Sequence, residues 1–345
     1  MRHVHLLLIL ALAAPAAADT FEAVSPSHAV FFSPVGATAD AMGGGMAAAW
    51  DEPGSAYWGP ARPGAPADGV ELGWNHQADY ADLHRTTLAM RADWRRATVS
   101  LLHDDWGPDR MEITTAFQPQ GTGEFYDLDA VSTVLAVSVE TRRWRGPQGD
   151  TALSLGAGFR SHRRLVAEFE DTWNDVDAGA VLAYRAHDPR AVGLRAWSVG
   201  VAATALGGDD MVLGVDTFPS QGHRRVGGRV EWAPSAEPAN GRTLLLLTGT
   251  LDWQRVRQDG WLYDADWLVG AEVLWLEAVA FRYGWRDFDE NRGLALGGTS
   301  FGFGLRHALL DGRLLLRADM TVIDLQDTFV QDTLELYALR AGWSF

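Results

Sequence analysis

The chain contains no cysteine and no lysine. The first absence excludes disulfides, thiolate zinc sites, iron–sulfur ligation, thiol nucleophiles and a lipid-modified N-terminal Cys. All 29 basic residues are therefore arginine, set against 45 acidic ones for a formal net charge of −16, which argues against coating nucleic acid. No stretch reaches 18 uninterrupted apolar residues, so no transmembrane helix is expected. P-loop, dinucleotide and Ser-His-Asp motifs are missing too, and no cofactor, metal or catalytic residue is expected. What is abundant is tryptophan. Fifteen indoles occur in 345 residues whose mean hydropathy is only −0.10, and they need surroundings both apolar and wet.

The first residues read as an export signal. Met1-Arg2-His3 is a short positive start, Val4 to Ala14 is an apolar core, and Ala16-Ala17-Ala18 before Asp19 fits a small-residue cleavage site. Residues 1–18 are expected to be a signal peptide, with a buried N-terminal helix as the alternative.

From residue 68 the apolar residues recur at period two. Trp267, Val269, Ala271, Val273 and Trp275 alternate with Gly270 and Glu272, and Val279, Phe281, Tyr283 and Trp285 alternate with Ala280, Arg282, Gly284 and Arg286. Such alternation marks strands with one apolar and one polar face. About fourteen segments carry it: 68–77, 84–93, 95–103, 129–144, 151–164, 176–186, 194–206, 221–233, 242–255, 265–276, 278–286, 297–309, 312–323 and 333–345. Longer acidic linkers alternate with short turns. The expected fold is all-β: a transmembrane antiparallel β-barrel of about 14 strands over residues 68–345, long loops outside and short turns inside. A soluble sandwich or propeller is the alternative, but it gives no reason for long loops at one end only.

On that orientation Trp74, Trp253, Trp267 and Trp285 fall at the outer end of the apolar face, and Trp197, Trp232, Trp275 and Trp343 at the inner end. They form two expected aromatic girdles, since an indole ring suits the lipid boundary while its N–H meets headgroups or water. The chain closes on Tyr337, Leu339, Ala341, Trp343 and terminal Phe345 in alternation. This ending resembles the last strand of bacterial outer-membrane barrels, where the final aromatic is read by the assembly machinery; Tyr337, Trp343 and Phe345 are the expected assembly signal.

Between residues 34 and 61 the sequence Pro34-Val35-Gly36-Ala37-Thr38-Ala39-Asp40-Ala41-Met42-Gly43-Gly44-Gly45-Met46-Ala47-Ala48-Ala49-Trp50-Asp51-Glu52-Pro53-Gly54-Ser55-Ala56-Tyr57-Trp58-Gly59-Pro60-Ala61 resembles the N-terminal signature of FadL-type transport barrels and their PorV/PorQ-like relatives. The resemblance implies that residues 19–67 form an N-terminal hatch in the lumen, with Gly36, Met42, Gly43, Gly44, Trp50, Asp51, Pro53, Tyr57, Trp58 and Pro60 as its ligand or hatch residues. It departs from the signature at Gly59, where Asn is usual, which puts in doubt a side-chain hydrogen bond anchoring the segment. A barrel this wide is not filled by its own side chains, which agrees with a plug. A flexible linker or periplasmic arm is the alternative.

Arg91, Arg160, Glu272, Arg282, Arg306, Arg317 and Arg340 share the lumen parity and are expected to make ion-pair networks with the hatch. Some of these arginines suit a ligand carboxylate, which guanidinium binds bidentately. His76, His84 and His103 fall at the outer ends of the first three strands on the lipid-facing parity, where a lipid hydrolase needs a Ser nucleophile that is not there: Ser100 points to the lumen. Asp287 to Asn291 resembles a calcium loop but has Arg292 where Gly is required. Asp104-Asp105, Glu168-Glu170-Asp171 and Asp209-Asp210 read as solvated acidic clusters in outer loops.

The function expected is passive transport of hydrophobic small molecules such as long-chain fatty acids across the outer membrane of a Gram-negative cell. A PorV-like structural or secretion-accessory barrel is the alternative, and an outer-leaflet lipid hydrolase a third; no enzyme activity is expected. Expected partners are outer-membrane lipids, lipopolysaccharide, the barrel assembly machinery and a hydrophobic ligand, with no nucleic acid, for a monomer.

Overall fold

The structure, a computed structural model, describes residues 36–64, 68–78, 84–112, 123, 125–166, 169–188, 192–206, 211–213, 216–218, 222–234, 243–258, 261–286, 298–326 and 331–345. The signal segment, residues 19–35 and 65–67 of the expected hatch, the calcium-loop-like stretch Asp287 to Asn291, Glu168 and Asp209-Asp210 lie outside the described residues.

Fourteen antiparallel strands close into a barrel: β1 (Gly69–Ala78), β2 (His84–Trp94), β3 (Ala97–Glu112), β4 (Phe125–Arg145), β5 (Gly149–Val166), β6 (Phe169–Ala186), β7 (Gly193–Ala203), β10 (Gly222–Ala233), β11 (Leu245–Gln258), β12 (Trp261–Trp275), β13 (Val279–Arg286), β14 (Gly298–Leu309), β15 (Leu314–Gln326) and β16 (Gln331–Ser344). A separate hairpin, β8 (Met211–Leu213) with β9 (Asp216–Phe218), lies between β7 and β10 in the chain and packs on β6. Each barrel strand pairs with its successor around the ring, and β1 closes on β16, with Val70 opposite Trp343 and Gly73 opposite Arg340. Closure leaves no edge strand, the condition for a sheet in lipid.

The period-two pattern sorts the residues as its physics requires. Leu72, Leu88, Leu135, Leu155, Phe281, Phe301 and Leu339 are exposed on the outside, while their polar alternates Glu71, Thr87, Ser138, Arg160, Arg282 and Arg340 are buried within. No helix among the described residues is long and apolar enough to cross a membrane; the crossing is made by strands. The eight girdle tryptophans stand on the outward parity, with Trp253 directly opposite Trp267 at one level and Trp197 opposite Val230 at the other.

The strands are longer than the alternation predicts on the side of the long loops. β4 has 21 residues, which at roughly 3.3 Å each and a tilt of about 40° rises about 50 Å, twice the ~25 Å apolar band. Much of what reads as acidic linker from Asp104 to Leu128 and from Leu165 to Asp175 is thus paired strand. Above the lipid both faces of a strand are wet, so the alternation fades while the backbone ladder continues.

Residues 36–64 lie inside the barrel. Helix α1 (Ala37–Ala41) packs on β13 to β16, α2 (Met46–Ala49) on β7, β10 and β11, and a 3-10 turn (Pro53–Tyr57) on β1 to β4. Pro60 and Ala61 approach Gly156 and Gly179 of β5 and β6. A buried apolar cluster here joins Met42, Met46, Trp50, Tyr57 and Trp58 to Leu102, Val134 and Val181 of the wall, and a smaller one joins Ala37 to Ile323, Leu336 and Ala338.

Candidate functional site

The luminal segment can enter the barrel because its corners carry no side chain. Gly43 has φ +83°, and a Cβ there would lie 2.8 Å from the carbonyl oxygens of both Trp285 and Val269. From Gly36 to Arg62 every residue is buried except Asp51. Such a segment carries backbone donors and acceptors out of water, and these must be satisfied from the wall.

Wall side chains satisfy them. Asp252 accepts from the Ala47 amide at 3.0 Å, Thr321 Oγ1 donates to Ala37 O at 2.5 Å, and Ser138 Oγ accepts from the Arg62 amide at 3.3 Å. Arg160 donates to the carbonyl of Tyr57, and Arg225 to that of Trp58 at 2.7 Å. The Tyr57 ring lies between the guanidiniums of Arg85 and Arg160, 5.4 and 5.2 Å from its centroid, while Arg225 covers Trp58 at 5.2 Å. Within the segment Glu52 accepts from the Ala39 amide at 2.9 Å and Arg62 donates to Trp50 O.

The seven charged wall residues expected in the lumen all face it. Four of them, with Asp319, form one chain of ion pairs. Arg306 and Arg282 donate to Glu272 at 2.8 and 2.7 Å, Arg282 also to Asp319 at 2.7 Å, and Arg340 to Asp319 at 2.5 Å and to Thr38 of the luminal segment. Arg160 pairs with Asp177 at 2.6 Å. Arg91 pairs with Glu71 at 2.7 Å and Asp93 at 2.9 Å. Arg317 makes none of these contacts. A buried pair contributes chiefly by what breaking it costs, so the chain from Arg306 to Arg340 ties five strands, β12 to β16, to the segment.

Three expectations need correction. Asp104 is not a solvated loop carboxylate; it is buried on β3 and gripped by Arg85 at 2.8 and 2.6 Å. Gly59 costs the segment no anchor, because a Cβ there would lie 2.7 Å from that of Ala202, and Arg225 holds the neighbouring Trp58 carbonyl instead. A Ser–His–Asp contact, invisible as a motif, does exist: Ser132 Oγ is 2.8 Å from His162 Nδ1, and His162 Nε2 is 3.4 Å from Asp175. All three are buried, on adjacent strands whose amides serve the ladder, and the arrangement locks β4, β5 and β6.

The outward histidines are spread along the rim. His76 stacks on Trp74 at 5.8 Å and lies 3.3 Å from Thr86 Oγ1, and His103 lies 3.2 Å from Thr133 Oγ1, while His84 is exposed. Residues that sequence reasoning missed include Asp252, Glu52, Arg85 and Arg225. The lumen parity of Asp252, Arg85 and Arg225 was the available signal.

Two carboxyls of the segment are pushed up. Burial, reinforced by the Glu52 carboxylate, pushes Asp40 well above the usual range, and its oxygens have no hydrogen-bond partner. Burial also pushes Glu52 up.

At the end with the short turns, Trp50, Asp51, Arg229 and Glu231 border a polar cavity of about 330 Å³. A second cavity, of about 910 Å³, is an apolar notch on the outer wall, where Ala318 and Ala341 sit among Leu72, Leu305, Leu316 and Leu339. No group of three or more metal-ligating side chains occurs among the described residues.

The fold and its filled lumen define a transmembrane 14-strand barrel with an internal N-terminal segment. No family model matches the sequence, and no curated protein matches it. The fold is similar to that of the Pseudomonas putida toluene transporter TodX, with a TM-score of 0.51 and 11% identity over 90% of this chain and 98% of that one. The Ralstonia pickettii toluene transporter TbuX, at 0.48 and 14%, and the monoaromatic hydrocarbon channel CymD, at 0.43 and 11%, align over the same shares. At these identities the likeness is one of fold.

Proposed function

We propose that this protein is an outer-membrane barrel that lets hydrophobic small molecules cross passively, with the N-terminal segment as a hatch. Export through a cleaved signal peptide, and the short turns facing the periplasm, belong to this reading. One observation carries it: the plug is held by hydrogen bonds and ring contacts from wall side chains, without a disulfide cross-link, so it can shift while the barrel stays closed. The fold shared with a toluene transporter supports it. Long-chain fatty acids and monoaromatic hydrocarbons are the compound classes to try first.

A scaffold barrel, the second reading, is favoured by the chain of ion pairs from Arg306 to Arg340, which stiffens the wall. Whole-cell uptake of a labelled fatty acid separates the two. Cells with the protein should take up label faster than cells without it. Deletion of Pro34 to Pro60 should leave a barrel that also admits hydrophilic dyes. Uptake that is the same with and without the protein sinks the transport reading and leaves the scaffold.

A further inference from the structure

Three arginines stand side by side across neighbouring strands: Arg306 is directly opposite Arg317, and Arg317 directly opposite Arg340. Directly opposed residues on one face have their Cβ atoms about 5 Å apart, and like charges placed so repel. The flanking two are neutralised, Arg306 by Glu272 and Arg340 by Asp319. The middle one is not. Arg317 has no carboxylate within 4.0 Å among the described residues, its Nε is buried without a hydrogen-bond partner, and the side chain as a whole is half-buried.

The surroundings of Arg317 already accept a carboxylate. Asp51, the one exposed residue between Gly36 and Arg62, reaches down to Arg229, and Arg317, Arg306 and Arg91 all lie within electrostatic reach of it. Asp51 spends its hydrogen bond on Arg229 and leaves the Arg317 guanidinium unfilled.

We propose that Arg317 is an anion-binding position in the half of the lumen nearest the short turns, taking an oxyanion, either the carboxylate of an amphiphile or a free phosphate, in competition with Asp51. Guanidinium presents a planar fork matched to such oxyanions, and a partly desolvated cation between two others gains most from an anion. The site does not depend on anything passing through the barrel.

Isothermal titration of the purified barrel in non-ionic detergent tests it, with octanoate, its methyl ester and inorganic phosphate as probes. Saturable binding of octanoate but not of its ester, or of phosphate, is expected, and the arm that binds identifies the source. Arg317→Gln should weaken that binding at least tenfold, Arg317→Lys should retain part of it, and Asp51→Asn should tighten it several-fold. Removing a repelled cation should also raise the unfolding temperature of the Gln variant, so folding is not at risk. Failure of both anions to bind the wild type, equal binding by Arg317→Gln, or weaker binding by Asp51→Asn overturns the proposal. A negative uptake assay leaves it standing.

Discussion

Replacing Gly43 by Ala should loosen the luminal segment and spare the barrel. The residue has φ +83°, where a Cβ costs about 1–2 kcal/mol, and the added methyl would lie 2.8 Å from two wall carbonyl oxygens. Overpacking of that kind costs a further 1–3 kcal/mol or so, giving about 2–5 kcal/mol against docking. At about 1.4 kcal/mol per factor of ten, the undocked population rises roughly 30-fold or more. The cysteine-free chain makes this measurable. Ser55 is buried and its hydroxyl has no partner, so Ser55→Cys is a silent reporter that maleimide reaches only when the segment leaves the wall. Labelling should be slow in Ser55→Cys and at least tenfold faster once Gly43→Ala is added, with heat-modifiable gel mobility unchanged. Equal rates in a folded barrel would refute the reasoning, because the corner would then not hold the segment.

Further outcomes follow from the same contacts. Arg160→Met leaves Asp177 buried without its cation, a loss of about 3–5 kcal/mol that should lower the midpoint of thermal unfolding in detergent, and adding Asp177→Leu should recover part of it; an unchanged midpoint in the single variant counts against the network. Leu135→Arg puts a charge on the exposed lipid-facing side of β4 and should cost about 2–4 kcal/mol in a bilayer refolding assay, whereas an equal stability would mean that this face does not meet lipid. Because burial raises the Asp40 carboxyl, its contribution to docking is complete below the ordinary carboxyl range and is lost as pH rises through the raised value. Proteolysis of the segment should therefore speed up with rising pH, and Asp40→Asn should flatten that dependence; a wild-type-like slope in the variant speaks against Asp40 as its source.

The barrel was legible because lipid and lumen impose opposite demands on alternate residues, and Trp267, Val269, Ala271, Val273 and Trp275 carry that demand without interruption. Where the demand stops, legibility stops: Asp104 read as solvated because nothing local reveals Arg85, which reaches it diagonally from β2. The luminal charges were found by parity, but their partners were not. Asp252 and Ala47 are 205 residues apart in the chain, and only closure of the ring brings them together. Gly59 shows the same limit, since its departure from the signature it resembles is explained by Ala202, a residue of β7 far along the chain.

Proteoliposomes holding the purified protein alone, with no energy source, test the central claim most directly. A labelled long-chain fatty acid or monoaromatic hydrocarbon should equilibrate across them faster than across empty vesicles and vesicles with an unrelated barrel, and should do so down its gradient only. Equilibration at the rate of the empty vesicles for both compounds would contradict the account.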